Sequence, residues 1–237
     1  KHEVFKDMFS RTSFSASRDE NRYVLTGVYM HIAEACATFV GTDGKRLAKS
    51  YTKLDIDGDL EGQYVFPLKA VDELSKVFEG DGESTVYLLN DKVAIESEDC
   101  IVITKLLSGD YPNVDRVIPE ESEVSVSLHR EELMTLLRQV SLFTSDTSSS
   151  VRFTFSPGEL RLAINSSEVG EGRVSMPVNY EGEQLDIAFN PSFFLDILRH
   201  SRDETVVLDV TDSYNPGVIT DSSSALFVIM PMRLNEE

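Results

Sequence analysis

One arrangement of elements is written twice in this chain, and that duplication limits the fold more than any single motif. The first copy opens with His2 to Ala16, where Val4, Phe5, Met8 and Phe9 recur at helical spacing and Lys6 and Arg11 fall off the apolar stripe. Arg130 to Leu142 repeats this with Leu133, Leu136, Leu137 and Val140. Apolar, β-rich stretches follow each helix: Tyr23 to His31 and Ala37 to Thr42 in the first copy, Val151 to Phe155 and Glu159 to Ile164 in the second. A second helix then opens at Phe66-Pro67 and again at Asn190-Pro191, with the two prolines 124 residues apart. Asn before Pro is a strong start signal, because Asn caps free amides and Pro at the first helical position loses no hydrogen bond. Leu68, Val71, Leu74 and Phe78 mark the buried side of one helix, and Phe194, Ile197 and Leu198 that of the other. Strands close both copies, at Thr85 to Leu89, Val93 to Ser97 and Ile101 to Leu106, then at Thr205 to Val210, Gly217 to Thr220 and Ala225 to Pro231. So long a period means duplicated domains, not a short-repeat solenoid.

The run Val117-Ile118-Pro119-Glu120-Glu121-Ser122 has the proline and charge of a linker. The chain therefore reads as two α+β domains of like design, residues 1–119 and 120–237, and 237 residues with 41% apolar content supply a core for each. Charges interrupt every window of membrane-spanning length, and the opening KHEVFKDMFS lacks the apolar run of a signal peptide. Only Cys36 and Cys100 are present, in no metal-binding spacing, which fits a reducing cytoplasm. A net charge of −19 repels phosphate at long range. A nucleic-acid binder of this composition must confine its cations to one face.

A catalytic site is not legible. His2, His31, His129 and His200 are scattered, with no HExxH or His-x-His pair, and His31 reads as a structural strand residue. Asp55-Ile56-Asp57-Gly58-Asp59 places its glycine too early for a calcium loop and lacks the closing Glu, so it reads as an acidic turn. Gly170-Glu171-Gly172 has no third glycine and reads as a flexible bend. Asn165-Ser166-Ser167 fits the glycosylation pattern by chance. Thr42-Asp43-Gly44-Lys45-Arg46 reads as a tight turn presenting two cations, not as a phosphate cradle. No cofactor or metal is expected.

Four segments, in order, resemble one family. Leu25-Thr26-Gly27-Val28 and Gly41-Thr42-Asp43-Gly44-Lys45-Arg46-Leu47-Ala48 are similar to the second domain of the bacterial DNA polymerase III beta subunit, the sliding clamp. So is Ser108-Gly109-Asp110-Tyr111-Pro112 followed by Arg116-Val117-Ile118-Pro119, and Val228-Ile229-Met230-Pro231-Met232-Arg233-Leu234 resembles the family's C-terminus. The resemblance spans essentially the whole chain. It implies clamp domains, each with two helices packed on curved antiparallel sheets, with the first of three domains absent here. It further implies a head-to-tail ring of two subunits whose helices line a hole around double-stranded DNA. Lys6, Lys76, Arg138, Arg199 and Arg202 lie on predicted helices and are candidates to face that hole.

The same resemblance implies a pocket that takes a partner's short linear motif, Gln-Leu followed by Leu-Phe. Its second-domain wall would be Leu25, Thr42, Gly44, Lys45, Arg46, Leu47, Pro112, Arg116 and Val117. Its third-domain wall would be Asn190, Phe193, Val228, Met230, Pro231, Met232 and Arg233. Leucine, valine, proline and methionine suit a peptide's Leu and Phe, and Arg46 and Arg116 would donate to its carbonyls or to an acidic residue. Met230 and Met232 have a competing reading as core residues of a strand. Arg22 and Tyr23 match a loop that touches DNA, although Val24 stands where the family often has a second aromatic. The partners implied are DNA polymerase III subunits, the clamp loader and repair proteins. The tail Asn235-Glu236-Glu237 extends past the family's usual terminal leucine. The rival readings are an acidic two-domain peptide-binding scaffold with no DNA role and, more remotely, a hydrolase, which a histidine beside an exposed serine would revive.

Overall fold

The computed structural model describes residues 1–56, 60–78, 80–144, 149–166 and 168–234. The chain divides into two compact units, Lys1–Asn113 and Val114–Glu237. The division falls upstream of the Val117–Ser122 stretch. One tie explains this: Thr211 Oγ1 donates to the Glu121 carbonyl (3.2 Å), fastening that stretch to the second unit.

The first unit runs α1 (His2–Ser13), 3-10 turns over Glu20–Thr26, β1 (Gly27–Ala33), β2 (Cys36–Thr42), β3 (Arg46–Lys53), β4 (Gly62–Pro67), α2 (Leu68–Val77), β5 (Thr85–Leu88), β6 (Lys92–Glu96) and β7 (Ile101–Lys105). Within it, antiparallel neighbours run β4-β1-β2-β3 and β5-β6-β7. The alternation in β1 explains its two faces: Val28, Met30 and Ile32 turn inward while Tyr29 and His31 turn outward. The helices close over the inward side. Phe9 of α1 sits edge-on to Phe39 (5.5 Å, 89°) and to Phe66 (5.3 Å, 67°), each pair worth about 0.5–1.5 kcal/mol beyond its burial. Gly41 lets α1 rest directly on β2, since a Cβ there would lie 2.0 Å from the Thr12 carbonyl oxygen.

The second unit runs β8 (Val124–His129), α3 (Arg130–Ser141), β9 (Val151–Ser156), β10 (Glu159–Ser166), β11 (Gly170–Pro177), β12 (Leu185–Phe189), α4 (Pro191–His200), β13 (Thr205–Val210), β14 (Gly217–Thr220) and β15 (Leu226–Ile229). Its neighbours run β11-β10-β9-β12 and β15-β14-β13-β8. The duplication is explicit in this order, with β9 to β12 repeating β1 to β4 and β13 to β15 repeating β5 to β7. Phe153, Phe189 and Phe194 form the matching aromatic cluster at 5.1–5.5 Å. Arg130 joins the two helices by donating to the carbonyls of Asp203 (2.9 Å) and Leu198 (3.3 Å) at the far end of α4.

Local chemistry decides several element boundaries. Asn190 caps α4 as expected, its side chain accepting from Ser192 N (2.9 Å) and Phe193 N (3.4 Å) with Pro191 at the first position. At the other opening Pro67 still belongs to β4, so α2 starts at Leu68 without a side-chain cap. Helix α1 ends at Ser13, short of Ala16, because the chain turns back there and Ser17 N donates to the Leu25 carbonyl (2.8 Å). Gly170-Glu171-Gly172 is not a bend but the start of β11, and Gly172 is flat against the Phe143 ring, where a Cβ would lie 2.6 Å away. Arg202 is not helical: α4 stops at His200, and the Arg202 amide donates to Asp221 (2.8 Å). The acidic turn at 55–59, the Asn165-Ser166-Ser167 sequence and the tail from 235 lie wholly or partly outside the described residues.

Candidate partner-binding site

Thr42, Gly44, Lys45, Arg46 and Leu47 sit on or beside the hairpin turn from β2 to β3. Each residue type has a task. Asp43 accepts from the amides of Lys45 (2.9 Å) and Arg46 (3.0 Å), and Thr42 Oγ1 donates to the Arg46 carbonyl (2.7 Å) and accepts from Gly44 N (3.1 Å). Gly44 adopts φ +82°, the left-handed region that glycine enters without penalty. Arg22 covers the turn from outside, its Nη1 donating to the Asp43 carbonyl (2.6 Å) where a Cβ on Gly44 would collide with it. Arg46 is engaged inward, with Nε 3.2 Å from Asp43, Nη2 donating to the Phe14 carbonyl (3.1 Å) and the guanidinium 5.7 Å from the Phe14 ring centre. The guanidinium expected to meet a peptide therefore spends these donors on the fold. Lys45 is exposed and Leu47 is buried.

Beside this turn, Arg22, Tyr23, Val24, Leu25 and Pro112 line an open groove of about 430 Å³. Tyr111, which precedes Pro112, is stacked on Tyr29 at 4.6 Å with planes 6° apart. Burial pushes the Tyr111 hydroxyl well above the usual tyrosine range, with Tyr29 adding to the effect. Sequence reasoning named Leu25 and Pro112 for the pocket and Arg22 and Tyr23 for DNA. The structure puts all four on one groove. Val24, noted only as a departure from the family, is a wall of it.

In the second unit, Arg116 and Val117 stand exposed on the 3-10 turn Val114–Val117, although the resemblance assigns them to the middle domain's wall. Asn190 caps α4, and Phe193 follows in its first turn, half-buried. Val228 is buried within β15. The strand ends at Ile229, so Met230 lies just past it with 39% of its surface exposed, against the reading of it as core. Pro231 and Met232 are half-buried, Met232 N donates to the Ala188 carbonyl (2.7 Å), and Arg233 is exposed.

The helices show how the chain's acidity is distributed. Each of the four carries as many acidic as basic side chains: Glu3 and Asp7 against Lys6 and Arg11, Asp72 and Glu73 against Lys69 and Lys76, Glu131 and Glu132 against Arg130 and Arg138, and Asp196 against Arg199. The whole net charge of −19 thus lies off the helices. Arg138 is exposed, and Arg199 pairs with Asp196 at 2.9 Å.

One contact bears on catalysis. His2 Nε2 lies 2.6 Å from Ser84 Oγ, the distance of a base from a nucleophile. Ser84 in turn bonds Ser97 Oγ (2.5 Å), His2 Nδ1 has no partner among the described residues, and His2 is buried. A triad needs a carboxylate orienting the ring and an exposed serine, and this chain of hydroxyls offers neither. The contact ties α1 to the Gly82–Ser84 segment, where His2 N also donates to the Gly82 carbonyl (2.9 Å).

Residues 1–113 match the family described as DNA polymerase III beta subunit, central domain, and residues 115–233 match its C-terminal domain. The chain belongs to the DNA polymerase III beta subunit family. A beta sliding clamp of Chlamydia pneumoniae is 58% identical over 99% of this chain and 64% of its own length. One from Proteus mirabilis is 31% identical over 98% of this chain and 64% of its own. Among solved structures, the DNA polymerase III subunit beta of Pseudomonas aeruginosa has a TM-score of 0.95 at 27% identity, covering 98% of this chain and 64% of that one. The beta subunit of Thermotoga maritima gives 0.92 at 30% identity, over 98% and 64%. The chain thus spans a little under two thirds of the length of these beta subunits. The α+β clamp fold expected from the sequence is the fold found, and an unrelated acidic scaffold is not favoured. No helix among the described residues is long and apolar enough to cross a membrane.

Proposed function

We propose that this chain is the middle and C-terminal part of a bacterial DNA sliding clamp, a cytoplasmic processivity factor without catalysis of its own. In the full-length head-to-tail ring it encircles duplex DNA and tethers DNA polymerase III subunits, the clamp loader and repair proteins through short linear motifs. Family membership across both units supports this reading. The charge distribution is the observation that carries it to this chain: four charge-balanced helices in a molecule of net charge −19. Such helices neither repel a duplex nor grip it. Weak, screened contacts are what sliding requires.

For the partner peptide, the accessible apolar surface in the first unit is Leu25, Val24 and Pro112 beside Tyr23, and in the second it is Met230. Leu47 and Val228, assigned to the same walls by the resemblance, are buried. Burying a peptide's Leu and Phe is worth about 3–6 kcal/mol before ordering costs, which allows micromolar affinity at best. The test is calorimetric titration with a Gln-Leu-x-Leu-Phe peptide. Met230→Ala is expected to weaken binding by roughly tenfold, because truncating an anchor in an apolar pocket costs more than about 1 kcal/mol. Removing Asn235 to Glu237 is expected to leave affinity unchanged or improved. No binding, or binding indifferent to Met230→Ala, would overturn the site.

A further inference from the structure

We propose that the outward face of the β5-β6-β7 layer is a docking surface for a second copy of this chain. The layer's inward residues Val93 and Ile95 are fully buried, with Val86, Leu88 and Val102 packed beside them. Its outward residues should then be polar, as on any sheet wetted on one side. Thr85, Lys92, Glu96 and Lys105 are, but Tyr87, Leu89, Ile101 and Ile103 stand 47%, 52%, 61% and 66% exposed. Pairing register brings Tyr87, Ala94 and Ile103 into one row across the three strands, and Ile101 begins the next row opposite Glu96. The patch is no larger than those a monomer commonly exposes, so what sets it apart is the pattern of charge at its two ends.

The charges around the patch identify the occupant. At one end Lys92 and Lys105 sit directly opposite each other across β6 and β7, a like-charge pairing that costs stability in an isolated sheet. Neither has an ion-pair partner among the described residues. At the other end of the same face is Glu96, with Glu98 and Asp99 in the turn beyond it. The face is therefore positive at one end, apolar in the middle and negative at the other. A two-fold axis lying across the strands reverses strand direction and keeps β5 over β5, β6 over β6 and β7 over β7. In that arrangement Lys92 of one copy meets Glu96 of the other, and Ile103 meets Ile103. The surface is self-complementary, as an isologous contact requires. Ala94, small and central, leaves room for the two layers to approach at the usual sheet-stacking distance of about 10 Å.

Strength follows from size. Three strands about 4.8 Å apart and five residues long cover only about 250 Å² per copy. A standard interface covers roughly 800 Å² per partner, so the expected dissociation constant is on the order of hundreds of micromolar. The experiment is sedimentation equilibrium of the 237-residue chain from about 10 μM to about 1 mM at low salt. Ile103→Lys is expected to raise the dissociation constant roughly tenfold or more without changing the circular dichroism melt, because Ile103 makes little contact within the fold. Lys92→Glu is expected to weaken association, and Lys92→Glu combined with Glu96→Lys to restore it. A chain that stays monomeric across the whole range overturns the proposal. So does a dimer indifferent to Ile103→Lys, or a double variant that recovers nothing.

Discussion

Gly41→Ala tests how the α1 helix positions the β2–β3 turn that carries much of the candidate site. An added Cβ would lie 2.0 Å from the Thr12 carbonyl oxygen, 3.0 Å from its carbon and 3.3 Å from the Ala16 amide nitrogen. All three are backbone atoms, so no side chain can rotate away. Thr12 is itself buried, its hydroxyl bonded to the Met8 carbonyl (2.7 Å), and Phe9 is locked among Phe39 and Phe66. The end of α1 or the strand must shift by roughly 1 Å or more. Overpacking a core by one carbon costs about 1–3 kcal/mol, and the upper half applies where the obstacle is backbone. For a unit of this size that lowers the melting temperature by roughly 8–12 °C. Calorimetric scanning would show this shift. Peptide affinity should fall as well, since Thr42 follows directly. Gly158→Ala is the control: φ there is +78° with nothing within 4 Å, so only backbone strain of about 1 kcal/mol is expected. A Gly41→Ala melt within about 2 °C of the parent would refute the reasoning, because it would mean that α1 slides on β2 at little cost.

Duplex binding by this chain should be weak and fall steeply with salt, and replacing Arg138, Arg199 and Arg202 together by Ser should weaken it further. Each lost phosphate contact should reduce the log–log salt slope by about one, with Arg199 contributing least because Asp196 already holds it; an unchanged slope removes these residues from the DNA face. Asp212 is held below the usual carboxylate range by the Asn215 and Tyr214 amides and by the Asn215 side chain. Its contribution is thus present above the unfolded carboxylate value near pH 4 and is lost as pH falls through the lower folded value. Asp212→Asn should flatten that acid limb in urea titrations below about pH 4, and superimposable limbs would show that the turn is indifferent to the charge.

The duplication, the helix-bearing segments and the cap at Asn190-Pro191 were legible in the sequence because each rests on local chemistry: periodicity, a side chain that satisfies free amides, a proline that loses nothing. The family resemblance was legible for a similar reason, since Thr42-Asp43-Gly44-Lys45-Arg46 encodes a turn whose hydrogen bonds lie almost wholly within those five residues. Strands β3, β4, β8, β11 and β12 escaped the sequence reading. Their side chains alternate against partners far along the chain, and Gly170-Glu171-Gly172 has no strand propensity of its own. Only packing decided what the charged and sulfur-bearing residues do. Arg46 reads as a donor for a partner and is instead spent on Asp43 and Phe14, while Arg202 reads as helical and is drawn out of α4 by Asp221. Met230 reads as a pocket residue with a competing reading as core, until β15 ends one residue before it. Sequence fixes what a residue can bond to at short range. Which of those bonds it makes depends on what the rest of the chain brings within about 3 Å, and only the tertiary structure sets that distance.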